Sequence, residues 1–394
     1  MKAALPEIFI DTPEQYDECC TQLESEVLIG FDTEFIGEQS YNPELCLIQL
    51  STEQSLYVID PIALGDIKKL WSILLDPEKT VIVHSGREEA RMARAATGKM
   101  PLHFFDLQIA LGLIGYHYPI SYAGMVRDTL RIRLHKSETL TDWSKRPLSD
   151  RQLAYAFDDV RFLIPIYRKV ERKLKKIHRQ EWLKDEWEKY CQKAVRDNKE
   201  TERWRKIKGV GNLDRRQLAI AREVYEWRES RAESLNRPSR FLLRDDLILE
   251  IARRTPRSPK DLETLRGISS RDTEQLYQAY LRGMEIPEDK LPKVTPREPD
   301  LDEYTWVVQI FSAVMASICK QNSLHPALVA TQSDLKWLVK SFKSKKTTGD
   351  SILLKGWRRD LFYQTFQDLW DGRQAMRLKR EKRGFSIECT KVGD

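Results

Sequence analysis

The sequence predicts an α/β domain, a mixed sheet with helices packed against it, followed by two all-α domains. Three observations carry that expectation. Four short runs rich in Val, Ile, Leu and Phe fall near the N-terminus, helical periodicity takes over from about residue 149, and a proline-rich charged segment, IPEDKLPKVTPREPDLDE, separates two helical stretches in the C-terminal half. At 394 residues the chain is too long for one ordinary core. The expected division is residues 1–200, 201–293 and 300–394.

The elements follow in order. VLIGFDTEF, LCLIQLST and SLYVIDPI lie close together, which predicts an antiparallel meander. GDIKKLWSILLD then reads as an amphipathic helix leading to the strand TVIVHS, so the sheet should be mixed. HSGREEARMARAA ends that strand, turns at Gly86 and opens a helix. From SDRQLAYAFDDV onward the pattern is helical, with Ser149 and Asp150 as caps. The charged region 176–205 reads as a helical connector rather than core. Asn236-Arg237-Pro238, Thr255-Pro256, Ser258-Pro259 and Gly267 punctuate the short helices that follow, giving a small helical domain. A second helical domain is expected over 303–380, with the basic stretch RQAMRLKREKRGF as a helix extension or an arm.

Composition narrows the class. With 41% hydrophobic and 32% charged residues, no bilayer-length apolar run and an acidic, proline-containing start, the chain is expected to fold in the cytoplasm. Its six cysteines form no CxxC pair and no zinc spacing, so reduced thiols are expected. The net charge of +6 is uneven: residues 1–175 hold 21 basic against 26 acidic side chains, residues 201–293 hold 21 against 16, and residues 301–394 hold 16 against 10. An acidic N-terminal half suits cation binding, and a basic remainder suits a phosphate-bearing partner.

The strand-like run VLIGFDTEFIG poses the chemical question. Asp32 and Glu34 stand on one face of a strand and repel each other unless a cation, first of all a divalent metal, lies between them. Glu88 and Glu89 fall in the first turn of the following helix, where acids also complement the helix dipole. Tyr155 and Asp159, at i and i+4, share a helical face from which Asp158 is turned by about 100°. Four carboxylates suit two hard divalent ions, Mg²⁺ or Mn²⁺, which can activate a water and steady the leaving oxygen of a phosphodiester. A tyrosine one turn before the last acid could hold that water in line.

The runs FDTEF, HSGREE, FFDLQIA and HKSETLTDWSKRPLSDRQLAYAFDDVRFLIPI resemble the ribonuclease D family, in the tyrosine-containing branch of the DEDD superfamily of 3′–5′ exonucleases, over roughly residues 5 to 200. The resemblance implies a ribonuclease-H-like exonuclease core. It matches Asp32 and Glu34 to the first exonuclease motif and Tyr155 and Asp159 to the third. The family's second motif carries an aspartate five residues after the histidine of HxG, and here that position is Glu89. Glutamate keeps the charge but adds a methylene. Glu89 is taken as the remaining catalytic and metal-binding residue, with Glu88 as the alternative. Asp106 falls outside the metal set and is expected to cap a helix, and His84 is expected to be a satisfied buried histidine. Lys136, Trp143, Lys145 and Arg146 precede the Tyr155 helix, where they could grip phosphates or dock the helix.

VYEWRESRAESLNRPSRFLLRDDLILEIARRTPRSPKDLETLRGIS resembles an HRDC domain, the helical module of ribonuclease D and RecQ-type helicases, over about 205–290. Such modules bind nucleic acid, and Arg237, Arg240, Arg244, Arg253, Arg254 and Arg257 are the expected phosphate contacts. Residues 303–394 resemble a second, more divergent module. The implied function is a monomeric, metal-dependent 3′–5′ exoribonuclease that trims RNA 3′ ends, precursor transfer RNA above all, by two-metal hydrolysis releasing nucleoside 5′-monophosphates. A DNA-directed exonuclease and a catalytically weakened RNA-binding protein are the alternatives.

Overall fold

The computed structural model describes residues 5–37, 40–41, 43–134, 141–199, 202–294, 302–344, 351–382 and 384–392. Strands β1 (Glu7–Ile10), β2 (Leu28–Ile36), β3 (Glu44–Ser51), β4 (Leu56–Ile59), β5 (Thr80–Val83) and β6 (Phe105–Asp106) form one sheet in the order β1-β4-β3-β2-β5-β6. β2, β3 and β4 make the expected antiparallel meander, whereas β1 on β4, β5 on β2 and β6 on β5 are parallel. The two edge strands, EIFI and FD, escape sequence reading because four and two residues carry too little alternation to register.

Burial fixes where β2 lies. Ile29 and Phe31 of β2, with Leu47, Ile48 and Leu50 of β3, are wholly buried, so this pair sits at the centre of the sheet. The helix Asp150–Arg161 packs across β2, β3 and β4 and brings its polar positions over the acids of β2. That helix starts where the sequence indicates. Ser149 Oγ accepts from the Gln152 backbone N–H at 3.3 Å, and Gln152 Oε1 accepts from the Ser149 N–H at 2.9 Å, a reciprocal cap.

The charged region after residue 176 is not a connector. In the helix Gln180–Lys199, Trp187 is buried, stacks on Phe104 at 6.1 Å and donates its indole N–H to the Pro101 carbonyl at 2.7 Å. The surface charges of this helix hide one apolar stripe, which the net composition conceals.

The HRDC-like region has its own core, built around Trp204, Leu218, Ile248 and Leu276. The C-terminal segment does not. Its Phe311, Leu335 and Phe362 are continuous with the core of the first domain. Arg358, wholly buried, makes a two-pronged pair with Glu186 at 2.5 and 2.8 Å and donates to the Leu328 and Val329 carbonyls at 2.7 and 2.6 Å. Arg179 donates to the Leu113, Asn322 and Ser323 carbonyls at 2.6, 2.5 and 3.1 Å.

The expected all-α character of this segment also needs correction. It ends in a hairpin of β7 (Gln374–Glu381) and β8 (Gly384–Lys391), where sequence reading placed a helix or arm. Met376 and Leu378 alternate with basic residues at period two, and Gly384 at φ 93° supplies the turn conformation, so the pattern is that of a strand pair. Among the described residues no helix is long and apolar enough to cross a membrane.

Candidate active site

β2 supplies Asp32 and Glu34, as their spacing requires, and a bulge between Glu34 and Phe35 interrupts its pairing with β3 directly after them. β5 pairs with β2 only over Leu28–Gly30. Beyond that point this edge of β2 is open to the helix Arg87–Thr97, whose third residue is Glu89. The connection is tight: Ser85 takes φ 60°, and a Cβ on Gly86 would come within 2.4 Å of Val83 Cγ2. Asp106 Oδ2 accepts from the Gly86 N–H at 2.9 Å, while its Oδ1 caps the next helix at Gln108 N and Ile109 N, 2.8 and 3.1 Å away. The capping role expected for Asp106 therefore holds, and the same carboxyl also anchors the turn that presents Glu89.

Glu89 and Asp159 are buried. Thr33 Oγ1 donates to Glu89 Oε1 at 2.8 Å, and the Tyr155 hydroxyl donates to Asp159. Burial comes first in pushing all four acids up from the ordinary carboxylate range, and repulsion by nearby carboxylates follows, from within the set for Asp32, Glu34 and Asp159 and from Asp106 and Glu88 for Glu89. Asp32 is raised well above its usual value by burial and by Glu89, Asp159 and Glu34. Glu34 is pushed to about 7 by burial and Glu89. Burial takes Glu89 to about 7 against the lowering effect of its backbone and Thr33 hydrogen bonds, and burial with Glu34 takes Asp159 to about 8. The Tyr155 phenol is held up by burial and the same acids, so it keeps its proton.

Among the described residues no three such side chains converge as a ready-made cage. The four carboxylates are neighbours: Thr33 holds Asp32 through its backbone N–H and Glu89 through its hydroxyl, and Tyr155 holds Asp159. The donor set nevertheless fits hard divalent cations, because it is all oxygen and its repulsion is what a cation relieves. Glu88 is set apart from it, paired with Arg91 at 3.3 Å, and Asp158 is paired with Arg161 at 2.7 Å.

The loop before the Tyr155 helix corrects two expectations. Trp143 is buried with its ring 5.8 Å from that of Tyr155, and Arg146 spends its guanidinium on Asp60 at 2.5 and 2.8 Å and on the Cys46, Trp143 and Lys145 carbonyls. Trp143 docks the helix through its ring, and Arg146, its donors already consumed, pins the preceding loop to Asp60 and the β3 backbone. Lys145 is exposed beside Asp142, and Lys136 lies outside the described residues. His84 is half-buried and hydrogen-bonded to the Ile120 carbonyl at 3.0 Å. Arg237, Arg240, Arg244, Arg253, Arg254 and Arg257 are all exposed, with Arg244 paired to Asp246 and Arg254 to Glu250.

Sequence reading missed Gln49. It is wholly buried, lies across the strand pair from Asp32 on the same face, and neither amide atom has a hydrogen-bond partner. A lone amide inside LCLIQLS was the available signal. Also missed is a cleft of about 680 Å³ between Tyr41, Glu88 and Arg91 on one side and Arg203, Glu229 and Pro238 on the other, bridged by a hydrogen bond from the Tyr41 hydroxyl to Glu229 at 3.4 Å.

Residues 8–175 match the 3′-5′ exonuclease family model and residues 217–282 the HRDC domain model. Ribonuclease D of Bartonella henselae is 30% identical over 360 residues, covering 90% of this chain and 87% of the relative, and that of Desulfotalea psychrophila is 32% identical, covering 86% and 93%. The crystal structure of Escherichia coli RNase D, described as an exoribonuclease involved in structured RNA processing, superposes with a TM-score of 0.82 at 26% identity, covering 93% of this chain and 99% of that one. A strand and two helices that bring four acids and a tyrosine together, a matched exonuclease model and relatives covered over most of their length lead to one assignment: the chain belongs to the ribonuclease D family and is a 3′–5′ exoribonuclease.

Proposed function

We propose that this enzyme trims the 3′ ends of structured RNAs, precursor transfer RNAs among them, with Asp32, Glu34, Glu89 and Asp159 holding two divalent cations, Mg²⁺ or Mn²⁺. When bound, the cations neutralise charge on the attacking and leaving oxygens of the phosphodiester. This chain's own residues orient and exclude. The Tyr155 hydroxyl, which keeps its proton, aims the attacking water, and Trp143 holds the tyrosine ring in place. The exposed arginines of the HRDC domain, with Lys136 and Lys145, hold the RNA body through its phosphates.

The observation that carries this reading is four neighbouring carboxylates, all pushed up by burial, with Asp32, Glu34 and Asp159 raised further by repulsion from within the set. All four come from one chain, which supports a monomer, and the six free cysteines suit the reducing cytoplasm. In this reading the chain divides near residues 200 and 300 into nuclease, HRDC domain and a divergent second module.

The test is digestion of an RNA hairpin with a single-stranded 3′ extension in Mg²⁺ or Mn²⁺. Release of nucleoside 5′-monophosphates is expected, abolished by Asp32→Asn and slowed about 100-fold by Tyr155→Phe. Equal digestion of a matched DNA extension would favour a DNA-directed enzyme. The glutamate at position 89 favours the weakened RNA-binding alternative, which RNA binding without any mononucleotide release would support.

A further inference from the structure

The C-terminal module carries a groove that the nuclease chemistry does not use. It has a volume of about 370 Å³ and lies between the start of the helix Thr305–Gln321, the end of the helix Gln364–Trp370 and the first residues of β7. Four of its nine lining residues, Tyr304, Trp306, Phe311 and Trp370, carry rings. Tyr304 stacks on Trp370 at 5.8 Å, and Trp306, an indole left 61% exposed, stands at the opening.

Two features make this more than an uncovered apolar face. The first is Gln374. Its Nε2 donates to Asp368 Oδ2 at 3.3 Å, which fixes the orientation of the amide, and its Oε1 is buried on the groove with no hydrogen-bond partner. A buried acceptor among aromatic walls calls for a planar apolar occupant with an N–H on its edge. The second is charge. Lys343 Nζ lies 4.6 Å over the Tyr304 ring. The hairpin Gln374–Lys391 holds six basic residues against two acidic. Met376 lines the groove, and Leu378 and Arg380 continue its face of β7 by the alternation of a strand, all three exposed.

A nucleobase satisfies both features, since it stacks on aromatic rings, offers amino or imino hydrogens to a carbonyl and brings a phosphate with it. A hydrophobic peptide can answer Gln374 Oε1 with a backbone N–H but gains nothing from the surrounding cations, whereas a nucleotide phosphate does. We propose that this groove is a nucleobase-binding site, which takes an unpaired base of the RNA against Trp306 and Tyr304, its amino group donating to Gln374 Oε1 and its phosphate near Lys343. It rests on the reading of the chain as an RNA-processing enzyme and adds to it a second contact, remote in sequence from the HRDC arginines.

The experiment uses the full chain and a fluorescently labelled twelve-nucleotide oligoadenylate in EDTA, with wild-type hydrolysis of the same RNA in Mn²⁺ as a separate control. Trp306→Ala, at an exposed position that folding does not need, should weaken binding about tenfold, and Gln374→Leu should weaken it severalfold. Ultraviolet crosslinking should place the RNA on the peptide containing Tyr304 and Trp306. Unchanged affinity in both variants, with crosslinks confined elsewhere, would overturn the site. So would concentration-dependent self-association that Trp306→Ala abolishes, which would give the groove to a second copy. Failure of wild-type hydrolysis would count against the nuclease reading, whereas the binding and crosslinking arms judge the groove alone.

Discussion

The Thr33 hydroxyl donates to Glu89 Oε1 at 2.8 Å inside the protein, joining the strand that carries Asp32 and Glu34 to the helix where glutamate stands in the family's aspartate position. The bond explains how the longer side chain is tolerated. Glu89 is not free to swing, because a neighbour of the other two acids holds its carboxylate.

That relationship is tested by a double-mutant cycle. Thr33→Val keeps the shape and removes the donor, and should lower exonuclease activity about tenfold in the wild-type background. Glu89→Asp draws the carboxylate back by about 1.5 Å, out of reach of Thr33, and should keep activity equal to or above the parent. In that background Thr33→Val should cost little further. Equal losses from Thr33→Val in both backgrounds, measured as mononucleotide release, would sever the two residues.

The raised acids make the cation-free protein pH-sensitive in a defined direction. Glu34 and Glu89 near 7 and Asp159 near 8 lie above the value of about 4 that they take when unfolded. Between these limits the folded state binds more protons than the unfolded one, so this contribution to stability is full below about pH 4 and is lost as pH rises through 7 to 8. In EDTA the melting temperature should fall across that window. Mn²⁺ should restore more at pH 8 than at pH 6, because protons must leave before the oxygens can ligate. A flat EDTA profile from pH 5 to 8.5, read by calorimetry, would contradict the assignment.

Gln49 is expected to trade stability for function. An amide buried without partners costs about 1–3 kcal/mol, so Gln49→Leu should raise the melting temperature. The same change should slow hydrolysis, since the amide faces the site beside Asp32. A variant that is more stable and fully active would show that Gln49 has no part in the reaction.

The C-terminal module should not detach from the nuclease core. Arg358→Met leaves the Glu186 carboxylate only Lys189 and Trp357 as partners, removes the donors to the Leu328 and Val329 carbonyls, and should destabilise the protein by about 3 kcal/mol. Chemical denaturation gives the comparison, with a single cooperative transition for the nuclease and C-terminal residues. Two separate transitions in the wild type would argue that the shared core is not one folding unit.

The chain by itself determined the local part of this protein. The meander, the Ser149 cap, the common face of Asp32 and Glu34 and the pairing of Tyr155 with Asp159 follow from periodicities of two and 3.6 and from capping chemistry, which act within a few residues. The HRDC region was legible through the positions of its prolines and glycines. Tertiary structure decided the rest. Only the open edge of β2 brings Glu89 to Thr33, and only packing turns Trp143 and Arg146 inward, leaves Gln49 unpartnered and fuses the last module to the first through Arg179 and Arg358. The reason is physical. Whether a charged side chain meets solvent, a phosphate or a buried carboxylate depends on surfaces contributed from far along the chain, and no local pattern records them.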